Sequence, residues 1–138
     1  MPGERPYPQI LNDAEELYGL LLTAETMMTK VDKIRYNNRA VDQILDVIKE
    51  FVLAYDFEDD REIHLKRMCA NVTVFIRTMR IINDRNIIHV FNPLETEKPD
   101  SVKMKIMEHL GKLDEGATRW KNSIINSRNK GTSGIAKQ

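Results

Sequence analysis

Apolar residues recur at three- and four-residue steps through four stretches of the chain, separated by short polar breaks, and no run alternates apolar and polar positions as a half-buried strand would. The pattern predicts an all-α protein. Short connections place successive helices side by side in opposite directions, so the expected architecture is an up-down-up-down antiparallel four-helix bundle. The first helix is expected after Pro8, capped by Asn12 or Asp13, with Glu15 and Glu16 in its first turn where carboxylates suit the helix dipole. Leu11, Ala14, Tyr18, Leu21, Leu22 and Met28 form its main apolar stripe, and Leu17, Leu20, Ala24, Met27 and Val31 form a second. Two stripes cover more of the circumference than one bundle core requires, which predicts a homo-oligomer contact on this helix.

The second helix is expected from about Asn37 to Phe57, with Val41, Ile44, Leu45, Ile48, Phe51, Val52 and Tyr55 on one face. Glu58-Asp59-Asp60 ends it and opens the third, whose inner face carries Leu65, Met68, Cys69, Val72, Phe75, Ile76, Met79 and Ile82. Lys66, Arg67, Arg77, Arg80 and Arg85 fall largely on the opposite side, giving a basic outer face. Residues 91–100 contain Pro93 and Pro99 and lack periodicity, so they are expected as a loop. The fourth helix is then capped by Asp100 or Ser101 and carries Val102, Ile106, Leu110, Leu113, Ala117, Trp120 and Ile124 to an end near Asn126. Gly111 and Gly116 lie inside it, each costing about 1 kcal/mol against alanine, and are expected to permit close packing. Turn-like composition from Arg128 predicts a basic flexible tail over 128–138, leaving 1–127 as a single domain.

A length of 138 residues suits one domain, and 41% hydrophobic with 30% charged residues suits a globular one, without an 18-residue apolar run to cross a bilayer. The opening Met1-Pro2-Gly3-Glu4-Arg5-Pro6 lacks the order of a secretory signal, and the lone Cys69 offers neither an internal disulfide nor a multi-cysteine metal site, so a cytoplasmic protein is expected. Net charge is zero, yet residues 1–60 sum to −7 and residues 61–138 to +7. From Arg119 onward Arg119, Lys121, Arg128, Lys130 and Lys137 meet no acid, which points to a polyanion or an acidic protein surface as partner, against the plainer reading of a solvated helix end.

Candidate chemistry is sparse. His64, His89 and His109 lie in different segments without metal-site spacing, and Walker A, GxGxxG, CxxC, GxSxG and HExxH sequences are absent, so neither catalysis, a metal nor a cofactor is expected. One near miss is Arg85-Asn86-Ile87-Ile88-His89, similar to the arginine-histidine pair of compact helical ribonucleases of the HEPN superfamily but with a shorter spacing. Such a pair, one turn apart, could hold a phosphate and move a proton, whereas a helix end favours basic residues through its dipole alone. Cys69 sits on an apolar stripe, where a small buried thiol is commoner than a nucleophile. The methionines fall mainly on apolar stripes as core filler, with Met27 and Met28 together leaving room for an interface.

Leu110, Leu113, Ala117, Trp120 and Ser123, followed by Arg128, Asn129, Lys130 and Gly131, resemble the late helix and basic tail of the accessory variability determinant (Avd) proteins of diversity-generating retroelements. Arg35-Tyr36 resembles the basic-aromatic step that opens that family's second helix, and the helix order agrees over roughly residues 11–127. The four-helix proteins encoded within 23S ribosomal RNA intervening sequences share much of this pattern. The chain departs from the Avd pattern in lacking a phenylalanine-proline element before the second helix, and in being neutral where the family is strongly basic. The resemblance implies a non-catalytic accessory subunit that forms a homo-oligomer, a pentamer, and binds reverse transcriptase and RNA or DNA without reading sequence. The residues expected to make the phosphate contacts are Arg77, Arg80, Arg85, Arg119, Lys121, Arg128 and Lys130. The alternatives are a protein-binding four-helix adaptor with no nucleic-acid role, which neutrality favours, and a HEPN-like ribonuclease, which the short Arg85 to His89 spacing opposes.

Overall fold

A computed structural model describes the backbone of residues 7–137, apart from positions 92 and 95, and side chains from Gln9 to Asn129. It is all-α, built from α1 (Tyr7–Glu25), α2 (Asn38–Asp56), α3 (Arg61–Asp84) and α4 (Pro99–Lys137). Helix α1 packs on α2 and α4, and α3 packs on the same two from the other side. Cross-helix contacts give the directions: Ile10 lies against Gly116 while Asp13 meets His109, and Glu62 meets Arg128 while Asn86 meets Lys103, so both α1 and α3 run antiparallel to α4. No helix is long and apolar enough to cross a membrane among the described residues.

The core takes Leu17, Leu21, Ile44, Phe51, Leu65, Phe75, Ile106 and Leu113 from all four helices. Phe51 of α2 and Trp120 of α4 meet with ring centroids 5.5 Å apart and planes inclined at 54°. Helix α2 lies within a residue of its expected span, because its apolar positions fall on one clear stripe. Helix α1 starts earlier than expected, at Tyr7, so neither Asn12 nor Asp13 caps it. Asp13 is instead 2% exposed inside the helix, held there by a partner on α4 that no local pattern could reveal.

The first helix's second stripe also has a different destination. Leu17, Leu20, Ala24 and Met27 are buried within the bundle, as is Met28, while Val31 lies beyond the end of α1. Most of that double stripe is therefore consumed by intrachain packing, and Leu22 and Val31 are the exposed large residues it leaves. After α1, the Thr29 hydroxyl accepts from the Asp32 backbone N–H at 3.2 Å, starting a single turn that passes through a π turn over Lys33–Asn37 into α2. The buried Asn37 side-chain amide donates to the Leu21 carbonyl at 3.1 Å and ties this entry to α1.

Helices α2 and α3 are joined by a 3-10 turn over Glu58–Asp60. Arg61 makes the sharp reversal possible by donating from Nε to the Ala54 carbonyl at 2.8 Å and from Nη2 to the Tyr55 carbonyl at 3.2 Å, filling acceptors that the end of α2 leaves open. Helix α3 closes at Asn86, whose φ of 51° is the left-handed conformation that stops a helix. The His89 and Val90 backbone amides both donate to the Met27 carbonyl, at 3.0 and 2.9 Å, so the start of the α3–α4 connection is fastened to the α1–α2 connection.

Helix α4 begins at Pro99, ahead of the expected Asp100 or Ser101 cap, as suits a residue without an N–H in a first turn. It continues to Lys137, past the expected end near Asn126, so the backbone of 128–137 is helical where a flexible tail was expected. Adding a turn to an existing helix needs no new nucleus, and Gly131 and Gly134 weaken it without removing its hydrogen bonds as proline would.

The two earlier glycines of α4 differ. A Cβ at Gly116 would lie 3.1 Å from Cγ1 of Ile10, so α1 approaches closely there, whereas a Cβ at Gly111 would meet nothing within 4 Å. Close packing accounts for Gly116 alone. Gly111→Ala is expected to raise the stability of the bundle by about 0.5–1 kcal/mol through helix propensity. In Gly116→Ala that gain is offset by displacement of Ile10, and denaturant unfolding of both variants measures the difference.

Candidate binding surface

Arg77 and Arg80 lie exposed on α3 and Arg85 just beyond it, and none has a carboxylate within 4.0 Å among the described residues. Arg67, also exposed on α3, is likewise without an ion pair there. The α4 cations are in a different condition. Arg119 pairs with Glu115 one turn earlier, and Arg128 Nη1 donates to Glu62 Oε2 of α3 at 2.6 Å. Lys121 is half-buried, close enough to Cys69 to act on its thiol, and the Lys130 side chain lies outside the described residues. The six expected phosphate contacts whose side chains are described therefore differ in their pairing and are spread along the bundle. Arg128 sits against Glu62 at the beginning of α3 and Arg85 follows its end, about 35 Å away at roughly 1.5 Å per residue.

The structure adds an apolar component that the sequence pattern did not single out. Ile63, Val74 and Ile81 are 51, 50 and 47% exposed on α3. With Arg67, Ala70 and Arg77, all exposed, they recur at alternating four- and three-residue steps, placing an Ile-Arg-Ala-Val-Arg-Ile stripe on the side turned away from the core. The stripe is visible in the sequence once the outer positions are counted as the inner ones were.

The histidines serve structure. His109 Nδ1–H donates to Asp13 Oδ1 at 3.0 Å, joining α4 to α1, and Gln9 Nε2 donates to the other Asp13 oxygen at 3.1 Å. His64 Nδ1–H donates to Glu50 Oε2, also at 3.0 Å, joining α3 to α2. Sequence reading missed both carboxylates because each partner is distant along the chain. His89 Nδ1–H donates to the Ile87 carbonyl at 3.0 Å.

Arg85 and His89 are not one turn apart on a helix, since α3 ends at Asp84 and the left-handed Asn86 redirects the chain between them. His89 lines a groove of about 540 Å³ with Asn86, Phe91, Lys98 and Lys103, and Arg85 is not part of its wall. The pair therefore does not share one face of a helix, as its spacing suggested. Burial pushes the Cys69 thiol above its ordinary pKa, opposed by the nearby Lys121 ammonium and reinforced by the Asp114 carboxylate, which keeps it in the protonated, poorly nucleophilic form. Among the described residues no group of three His, Cys, Asp or Glu side chains could hold a metal ion.

Set against protein-family models, curated proteins and solved structures, the chain matches none.

Proposed function

We propose that this bundle is a non-catalytic accessory subunit that works as a homo-oligomer and binds an anionic partner through the basic side of α3. On the resemblance to Avd proteins, that partner is nucleic acid together with the reverse transcriptase of a diversity-generating retroelement, and the homo-oligomer is a pentamer. The observation that carries the charge contact is the exposure of Arg80 and Arg85 without a carboxylate partner among the described residues. A guanidinium already neutralised by a neighbouring acid has less to offer a phosphate, which ranks these residues above Arg119 and Arg128. Contacts of this type fix position on the backbone and read no bases, so binding is sequence-tolerant.

The double variant Arg80→Glu/Arg85→Glu is expected to weaken RNA and DNA binding and to reduce the slope of log K against log salt by about 2, roughly one unit per lost phosphate contact. Arg119→Ala/Arg128→Ala is expected to bind nearly as the wild type does. Fluorescence anisotropy across a salt series measures both. Absence of wild-type binding to single-stranded and duplex RNA and DNA at low salt would remove the nucleic-acid role. The adaptor reading then takes its place, favoured by the exposed Ile63, Val74 and Ile81, since apolar side chains have no use on a pure phosphate contact.

A further inference from the structure

We infer that this chain associates head to tail with its own copies, the outer face of α2 in one copy seating on the outer stripe of α3 in the next. The inference rests on the homo-oligomer of the proposed function and specifies its contact. It arises from two apolar faces that the monomer leaves uncovered and from the opposite charges they carry.

On α3, Ile63, Arg67, Ala70, Val74, Arg77 and Ile81 repeat at the four- and three-residue steps of a helix-packing seam, on the side away from the bundle core. On α2, Val41, Leu45, Ile48, Val52 and Tyr55 repeat at the same steps. Leu45 and Val52 are 42 and 38% exposed, and Val41, Ile48 and Tyr55 are half-buried at the edge of the core. The stripes run about 21 Å on α2 and about 27 Å on α3 at roughly 1.5 Å per residue, so each is long enough to cover the other.

Charge selects the pairing. The α2 stripe is bordered by exposed Asp42, Asp46 and Asp56, none with an ion pair among the described residues, and by Lys49. The α3 stripe contains Arg67 and Arg77, likewise without an ion pair, and is bordered by Lys66. Two α2 faces brought together about a two-fold axis would set aspartates against aspartates, and two α3 faces would set arginines against arginines. Only the mixed contact joins acid to base while covering apolar surface on both sides. A contact between two different faces of identical subunits leaves one of each face open at every step, so it closes into a ring or extends as a filament. Arg80 lies apart from this seam, on the same side of α3 as Cys69 and Glu62, which approach α4. It therefore stays available for the anionic partner, and Arg77 is reassigned to the contact between copies.

The test uses two surface variants of the full chain. Arg67→Glu/Arg77→Glu disables the α3 face, and Asp42→Lys/Asp46→Lys disables the α2 face. By sedimentation equilibrium at high micromolar concentration, wild type is expected as an assembly, and each variant alone as a monomer of 16.1 kDa with unchanged helical circular dichroism. A one-to-one mixture of the variants is expected to regain assembly beyond a dimer, because each unaltered face meets its native complement and the two reversed faces meet each other as base against acid. Wild type that assembles while either variant keeps its size, or a mixture that stays monomeric, overturns the head-to-tail contact and leaves the homo-oligomer standing. A monomeric wild type overturns both. Nucleic-acid binding, read separately with Arg80→Glu/Arg85→Glu, bears on neither result.

Discussion

Phe51→Ala is expected to lower the free energy of unfolding by about 3–5 kcal/mol, a large share of the roughly 5–15 kcal/mol available to a domain of this kind. Phe51 is 1% exposed, and its ring lies between the Trp120 ring at 5.5 Å and the Tyr55 ring at 6.5 Å. Its removal costs the transfer free energy of a whole aromatic side chain and leaves a cavity that neighbours close only in part. The position also joins α2 to α4, helices whose other contacts run through α1 and α3. Guanidinium unfolding followed by circular dichroism measures the loss, and the fluorescence of Trp120, the single tryptophan, reports whether its surroundings change with it. A loss below about 1.5 kcal/mol would show that the bundle collapses around the gap and that the ring pair is not a principal link.

His109→Ala is expected to cost about 2–3 kcal/mol, because it strands a buried carboxylate. Asp13 is 2% exposed and accepts from His109 at one oxygen and from Gln9 at the other, so removal of the imidazole leaves one acceptor without its partner in a site closed to water. The cost of that desolvated oxygen exceeds the net worth of the hydrogen bond, so the double variant Asp13→Ala/His109→Ala is expected to be less destabilised than the two single variants added together. Strict additivity in this cycle would show that the pair is not coupled and that the imidazole acts through packing alone.

The parts of the fold legible in the sequence are those decided by one helix at a time. The span of helix α2 was legible to within a residue, but of the seven positions expected on its inner face only Ile44 and Phe51 are fully buried, while Leu45 and Val52 are exposed. The start of α1 was hidden because Asp13, which looks like a cap, is held inside the helix by an imidazole 96 positions away. The extent of α4 was hidden because Gly131 and Gly134 are turn residues by composition but do not end an established helix. The basic outer side of α3 could be read from spacing, but which of the arginines are neutralised could not. Arg128 is satisfied by Glu62, a partner 66 positions back that only the antiparallel packing of α3 and α4 brings near. Exposed apolar positions were legible and misplaced: the excess on α1 is absorbed within the bundle, while the uncovered stripes lie on α2 and α3.

The Met27 carbonyl, which receives two backbone amides from His89 and Val90, partitions the α3–α4 connection into two segments with different tolerance to changes in chain length. From Arg85 to Val90 the path is set by the left-handed Asn86, by burial of Ile87 and Ile88, and by those two amides, so an added residue would pull the clasp out of register and part the two amides from their acceptor. Between Phe91 and Pro99 the Glu97 carboxylate pairs with Lys105 of α4, and Leu94 is 91% exposed. An inserted residue is therefore expected to be tolerated better beside the exposed Leu94 than between Arg85 and Val90. The same clasp makes the end of the bundle that holds both connections a single structural unit, so the α1–α2 and α3–α4 hairpins are coupled there through the backbone as well as through side-chain packing.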